Sequence, residues 1–447
     1  MSLREFLNRM GKNNKILYVK DEVSTDFEIS FITKSFDCEG PVLIFDKVKG
    51  FGTKVVANVC GTRKRICAAL NIDQVDLYRR LTEAWRSPKK ARIVEDGSVK
   101  EVVEKVDLSR VPILMHYERD AGRYITSGVV YARSDDGKVE NVSIHRLQVL
   151  GNDRLAIRLV PRHLYKVWQM AKEVGEDLDV SISIGVHPAI SLAASSSPPF
   201  GACEFDVANA LLDDGLRLVK CEHVNACAPA EAELVLEGRI SASNEVVEGP
   251  FVDITGTYDV QRKQPVVEIV GMMHRRDYIY EALVPGCAEH RLLMGLPHEV
   301  LIWDAVSKVI PNVHAVNLSA GGCGWLHAVI SIEKQVDGDG KNALLAAFAA
   351  HPSLKHAVIV DSDIDVCNAL DVEWAIATRF QASEDVIIVN NVRGSTLDSS
   401  GNQETGLTSK MGLDATRPLA KPREKFERAK IPAGKRVETL VRKLSGS

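Results

Sequence analysis

Apolar residues recur at helical spacing over residues 3–10, 62–70 and 73–85, and short apolar runs at 16–19, 41–46 and 54–58 fall between them. Helices and strands mixed in this way predict an α/β unit that ends near residue 105, with a polar, proline-containing connection at 87–92. The pattern then changes. Residues 125–133, 140–149, 155–159, 180–185, 231–240, 256–258 and 265–270 read as strands, and only 164–176 and 205–212 read as helices. Many strands with few helices predict a barrel or sandwich in the middle of the chain. Beyond about residue 290, helices at 292–309, 343–351 and 371–378 alternate with strands at 313–318, 326–332, 357–361 and 386–389, which predicts a βαβ unit with a mainly parallel sheet. The tail, 421–447, is rich in Lys and Arg and reads as an extended arm ending in a helix. The expected fold is therefore mixed α+β in three parts, 1–105, 106–290 and 291–447.

Composition narrows the function classes. The charge balance, a net −4, offers no basic footprint for a nucleic-acid partner and no polybasic membrane anchor. The 9 cysteines are scattered and form no Cys-x-x-Cys pair, so neither a zinc ribbon nor a disulfide framework is expected, and free thiols in a reducing compartment are. No window approaches ~18 consecutive apolar residues, and the first residues form no apolar signal core. The expectation is a cytoplasmic protein without a membrane span.

Three segments gather polar groups beyond what a core needs. In Asn141-Val-Ser-Ile-His-Arg146, on a predicted strand, alternation puts Asn141, Ser143 and His145 on one face and Ile144 and Arg146 on the other. Such a strand can face an anionic ligand, and it can equally be the solvated face of a barrel. Arg162 and His163 directly precede a predicted helix, where free backbone N–H groups favour a phosphate; a solvated basic cap has the same sequence. Glu248-Gly-Pro-Phe-Val-Asp253 places two carboxylates across a turn, where they can converge on one pocket as an acid/base pair or remain ordinary surface acids. Glu204 heads an apolar helix and can complement its dipole or ligate a metal. Asn, His and Glu together form a mixed oxygen and nitrogen set suited to Mn2+ or Mg2+. Lys410 sits in a small-residue stretch read as a loop, from which it can reach a phosphate or lie in solvent. Gly321-Gly-Cys-Gly324 lacks the Lys and Ser/Thr of a phosphate loop and reads as a tight turn. Asp361, Asp363 and Asp365 lack the Gly and Glu of a calcium loop and read as a strand-end turn.

Taken in order, these segments resemble one family. Asn141-Val-Ser-Ile-His-Arg146, Arg162-His163 with Val167-Trp168, Gly185-Val-His-Pro188, Glu204, Leu218-Val-Lys-Cys221, Glu233-Leu-Val-Leu-Glu-Gly238, Glu248-Gly-Pro-Phe-Val-Asp253 with Thr255-Gly256, and Ser409-Lys-Met-Gly-Leu-Asp-Ala-Thr416 follow the sequence of motifs of UbiD-type decarboxylases. The match covers about residues 110 to 416. It implies an N-terminal α/β domain, a flavin-reductase-like split β-barrel and a C-terminal α/β domain. It also implies prenylated FMN, a manganese ion (Mn2+, or Mg2+) and often potassium (K+). By this resemblance Asn141, His163 and Glu204 hold the metal. Ser143, Ile144, His145, Arg146, Arg162 and Lys410 line the cofactor together with the metal ligands, and Arg146, Glu248 and Asp253 form the catalytic network. Arg146 would hold the substrate carboxylate, Glu248 would aim it, and Asp253, protonated through burial, would return a proton. A flavin prenyltransferase is implied as the cofactor supplier, and a homodimer or larger homo-oligomer as the assembly. Ala288-Glu-His-Arg-Leu-Leu-Met-Gly295 is similar to archaeal members, which implies trans-anhydromevalonate 5-phosphate as the small-molecule acid, with Arg158, Arg276 and His290 as available cations. An aromatic acid of the 4-hydroxybenzoate kind, a redox flavoprotein on the same barrel and a non-catalytic subunit are the alternatives.

Overall fold

The computed structural model describes residues 1–12, 15–402, 404–429, 431–432 and 434–444. Three sheets carry the architecture. The first has the order Ile16–Val23, Val42–Val48, Val55–Ala57, Tyr280–Ala282, so its last strand comes from far along the chain. Val42, Leu43, Ile44 and Phe45 are all buried, as expected of a strand covered on both faces. Part of that cover is the helix Leu3–Lys12, which buries Leu3, Phe6, Leu7 and Met10 along one stripe.

The central sheet has nine strands. Its path runs Tyr124–Ile125, Leu147–Val149, Arg154–Ile157, Arg262–His274, Leu234–Glu248, Leu178–Ile184, Val129–Arg133, Glu140–Ile144, with Val102–Glu104 beside Arg262–His274. Among the described residues this path does not close into a ring. Two runs read as single strands each divide. Residues 125–133 break at Gly128, where an added Cβ would stand 2.9 Å from Ile182 and 3.0 Å from Leu147; only glycine lets these chains approach. Residues 140–149 break at His145 and Arg146. The chain there leaves strand Glu140–Ile144, at one end of the path, and enters Leu147–Val149, near the other.

The third sheet has the order Val313–Leu318, His327–Ile332, His356–Asp361, Leu407–Ala415, Val386–Arg393. The two central pairings are parallel and the two outer ones antiparallel, which corrects the expectation of a mainly parallel sheet. The cause is Leu407–Ala415. This stretch was expected as a loop, but it pairs with His356–Asp361 inside the sheet and leaves Val386–Arg393 at the edge. Asp361, which ends its strand, and Asp363 both accept from the buried Arg379, in keeping with a strand-end turn. Helices Glu28–Ser35 and Pro188–Ala194 were not expected. The tail helix is Lys435–Leu444; residues 430, 433 and 445–447 of the predicted arm lie outside the described residues.

The long helix Ala288–Ser307 links these parts. Its Glu299 accepts from Arg63, Tyr78 and the Leu318 amide, tying the first and third sheets together. No helix of the described residues is long and apolar enough to cross a membrane.

Candidate active site

Arg146 lies on the crossing between two strands, so its side chain is free of the sheet pattern, and it is 9% exposed. Its Nε and Nη2 donate to the two oxygens of Glu248 at 3.0 and 2.9 Å, a bidentate fork. Nη1 donates to Asp253 at 3.3 Å and Nη2 to Asp259 at 3.0 Å. Glu248 ends the long strand Leu234–Glu248 and has no exposed surface, whereas Asp253 keeps 21% of its side chain open. The turn between them begins with the cis peptide Gly249-Pro250, and the Gly249 amide donates to Gln148 at 3.2 Å. The Phe251 ring lies 5.3 Å from the Arg146 guanidinium carbon and 4.1 Å from Tyr124. Burial opposes the charge on Arg146, but Glu248 and the other carboxylates outweigh it and raise its pKa.

Asp259 is a third carboxylate at this site and was not expected. It sits across from Phe251 in a two-stranded ribbon, and that register carries it to the same guanidinium. The available signal was its spacing: Arg262 is three residues on and donates to both Asp259 oxygens, at 2.7 and 2.8 Å. Burial pushes the Asp259 carboxyl up, yet Arg262 and Arg146 prevail and hold it below the usual range. Arg158 stands 3.8 Å from Asp259, and His290, half-buried, lies within electrostatic reach of Asp253 and Arg146. Arg276 lies apart, exposed, with its amide on Glu101.

Asn141, Ser143 and His145 share one face, as alternation predicts. Ser143 Oγ is 2.9 Å from both Asn141 Oδ1 and His145 Nε2. The His145 Nδ1–H donates to the Arg158 carbonyl at 2.9 Å, and burial pushes the imidazole down to about 4, so it is neutral. Ile144 points the other way and packs against the main apolar core. Asn141 Nδ2 and the Val142 amide donate to the Glu204 carboxylate at 3.0 and 2.6 Å. Glu204 is 2% exposed and, among the described residues, has no cationic side chain beside it; burial pushes its carboxyl up to about 8. A buried carboxylate without a counter-ion, next to an amide, suits a hard divalent cation. His163 opens the helix His163–Val174, which packs against strand Glu140–Ile144, and its ring meets Phe200 edge-on at 5.4 Å. Among the described residues no three His, Cys, Asp or Glu side chains converge as ligands; the expected set contributes two of these types and an amide.

Lys410 is not in a loop. It is buried on strand Leu407–Ala415, its Nζ donates to the Pro352 carbonyl at 2.6 Å, and burial pushes it down to about 8. It lies near His351, and His351 and His298 both lie near Arg162. Arg162, the residue before the helix, lies within electrostatic reach of Arg393. Arg162, Arg393 and Lys410 are the cations of this group, burial holds His298 and His351 toward the neutral form, and among the described residues no carboxylate is ion-paired with Arg162 or Lys410. Such a cluster fits an anionic phosphate.

The site thus has a carboxylate-locked arginine, a buried Asn–Glu pair and a basic cluster at the third sheet. Comparison with known proteins gives the class. Residues 7–85, 92–288 and 291–415 match the N-terminal, Rift-related and C-terminal domains of 3-octaprenyl-4-hydroxybenzoate carboxy-lyase, and the chain belongs to this UbiD family. Among its relatives is the anhydromevalonate phosphate decarboxylase of Methanothermobacter thermautotrophicus, 47% identical over 95% of this chain and 99% of the relative. The protein of the same name from Methanosarcina mazei is 45% identical over 97% of this chain and 100% of its own length. Among solved structures, the UbiD-class enzyme HmfF from Pelotomaculum thermopropionicum in complex with FMN is 42% identical, covers 97% of this chain and 98% of its own, and superposes with a TM-score of 0.94.

Proposed function

We propose that the protein is a prenylated-FMN-dependent, non-oxidative decarboxylase of trans-anhydromevalonate 5-phosphate, acting in isoprenoid synthesis in the cytoplasm. The observation that carries the reading is the Arg146 guanidinium locked by Glu248, Asp253 and Asp259 in a nearly buried site. Support for the substrate comes from the relatives named anhydromevalonate phosphate decarboxylase that align over almost the whole chain. The split barrel around the central sheet and the three domains 1–105, 106–290 and 291–447 are part of the same proposal.

A bound prenylated flavin would supply the electron sink for the bond to CO2 that breaks. Asn141, His163 and Glu204 would hold Mn2+ or Mg2+, whose positive charge would help retain the anionic flavin, and potassium (K+) is a further implied ion. Ser143, Ile144, His145, Arg162 and Lys410 line the flavin, Ile144 through its backbone. Arg146 orients the substrate carboxylate, and the Glu248 fork keeps the guanidinium aimed. Phe251 and Tyr124 exclude water from this side. Asp253, the carboxylate with open surface, delivers a proton to the carbon that CO2 leaves. A flavin prenyltransferase supplies the cofactor. The chain assembles as a homodimer or larger oligomer, for which the exposed stripe Val437, Leu440, Val441 and Leu444 on the tail helix offers an apolar face.

The test is turnover by protein co-produced with a flavin prenyltransferase, with Mn2+, on trans-anhydromevalonate 5-phosphate and a panel of aromatic acids. Release of CO2 from the phosphate ester is expected. Turnover of an aromatic acid alone would keep the mechanism and replace the substrate. Redox turnover with ordinary FMN in the absorption spectrum would replace both.

A further inference from the structure

His290, Met294 and His298 lie one turn apart on one face of helix Ala288–Ser307. At one end of this stripe His290 lies within electrostatic reach of Asp253 and Arg146. About 12 Å further along the helix, His298 packs against His351 and lies within electrostatic reach of Arg162. The stripe therefore spans the wall between the carboxylate-locked arginine and the basic cluster.

His298 is held in place and underused. Its ring meets Trp325 edge-on at 4.6 Å and His351 at 4.3 Å. His351 spends its Nε2–H on the Trp325 carbonyl at 3.0 Å, whereas His298 Nδ1 is buried with no hydrogen-bond partner. A buried nitrogen left unpaired costs about 1–3 kcal/mol. A ligand oxygen would satisfy it. Among the described residues no carboxylate is ion-paired with the neighbouring cations Arg162 and Lys410, so the favoured ligand is a dianion.

We propose that His298, together with Arg162, binds the distal phosphate of the substrate and so selects a phosphorylated unsaturated acid over its unphosphorylated counterpart. This rests on the substrate class proposed above. With the carboxylate at Arg146, the substrate chain runs along the helix face and brings its phosphate to His298. Arg162 has five N–H donors and can serve the flavin phosphate as well; His298 has no second task.

The experiment uses the flavin-loaded enzyme and His298→Phe, which keeps a ring between Trp325 and His351, with His298→Gln, which keeps a donor. Turnover is measured on the phosphorylated acid and on its free alcohol, binding of the saturated phosphorylated acid is measured by calorimetry, and flavin content is read from the absorption spectrum. The expected result for His298→Phe is a rise of about 10- to 100-fold in KM for the phosphorylated acid and in Kd for the saturated analogue. Flavin content, kcat and KM for the alcohol should stay near wild type, and His298→Gln should fall between. An unchanged KM and Kd in both variants would overturn the inference. Loss of flavin in His298→Phe would overturn it too, by assigning the residue to the cofactor phosphate. If the wild type itself ignores the phosphorylated acid, the substrate reading falls first and this one with it.

Discussion

Replacing Glu248 with Gln isolates the aim of Arg146. The amide is isosteric, so packing around the fully buried side chain is preserved. Of the two bonds at 3.0 and 2.9 Å, one can survive through the amide oxygen, while the NH2 group is set against an N–H of the guanidinium. Breaking a buried ion pair outright costs about 3–5 kcal/mol because a charge is left uncompensated. Here Asp253 and Asp259 still compensate Arg146, so the loss is closer to one charged hydrogen bond, about 2 kcal/mol. Expressed in the transition state, that is a fall of roughly 30-fold in kcat/KM. The assay is the initial rate of CO2 release, normalised to bound flavin. Asp259→Asn is the comparison. It leaves the Glu248 fork intact, so its effect should be under about 10-fold. A Glu248→Gln enzyme within about twofold of wild type, or an Asp259→Asn enzyme that loses more, would refute the claim that the fork sets the guanidinium.

Asp253→Asn should retain flavin by absorption spectrum yet lose roughly 10²- to 10⁴-fold in kcat, the usual worth of a positioned proton donor; full activity would remove Asp253 from that role. Glu204→Gln should purify with little Mn2+ by elemental analysis, and normal metal content would exclude Glu204 as a ligand. His116 is buried with both ring nitrogens unpartnered, and burial holds its pKa near 3 against an ordinary 6.5. Its neutral form is therefore favoured by folding, its contribution is intact above pH 6.5, and it is lost as pH falls from 6.5 toward 3, by about 1.4 kcal/mol per unit. His116→Phe should accordingly lose about 2 kcal/mol less than wild type in urea unfolding free energy between pH 7 and pH 5; equal losses would contradict it.

Much of this was legible before any coordinates. Alternation along 140–146 correctly placed Asn141, Ser143 and His145 together, because side-chain direction in a strand is local. The convergence of Glu248 and Asp253 followed from a glycine-proline turn. Four features were not legible, and each depends on distant packing or pairing. The break at Gly128 exists because Ile182 and Leu147 pack there. Lys410 lies on a strand because His356–Asp361 supplies the partner ladder for a stretch too rich in small residues to announce itself. Asp259 and His298 join the site through a ribbon register and a helix packing that no local window contains.

The strand Tyr280–Ala282, which completes the first sheet, has a consequence for biosynthesis. Its partner Val55–Ala57 leaves the ribosome more than two hundred residues earlier, a wait of roughly 10–45 s at ordinary elongation rates. Until then one margin of the nascent sheet carries unsatisfied amides and carbonyls, the kind of surface on which chains stick to one another. The portion translated first is thus finished late, and nascent chains stalled before residue 280 should be the aggregation-prone species in the cell.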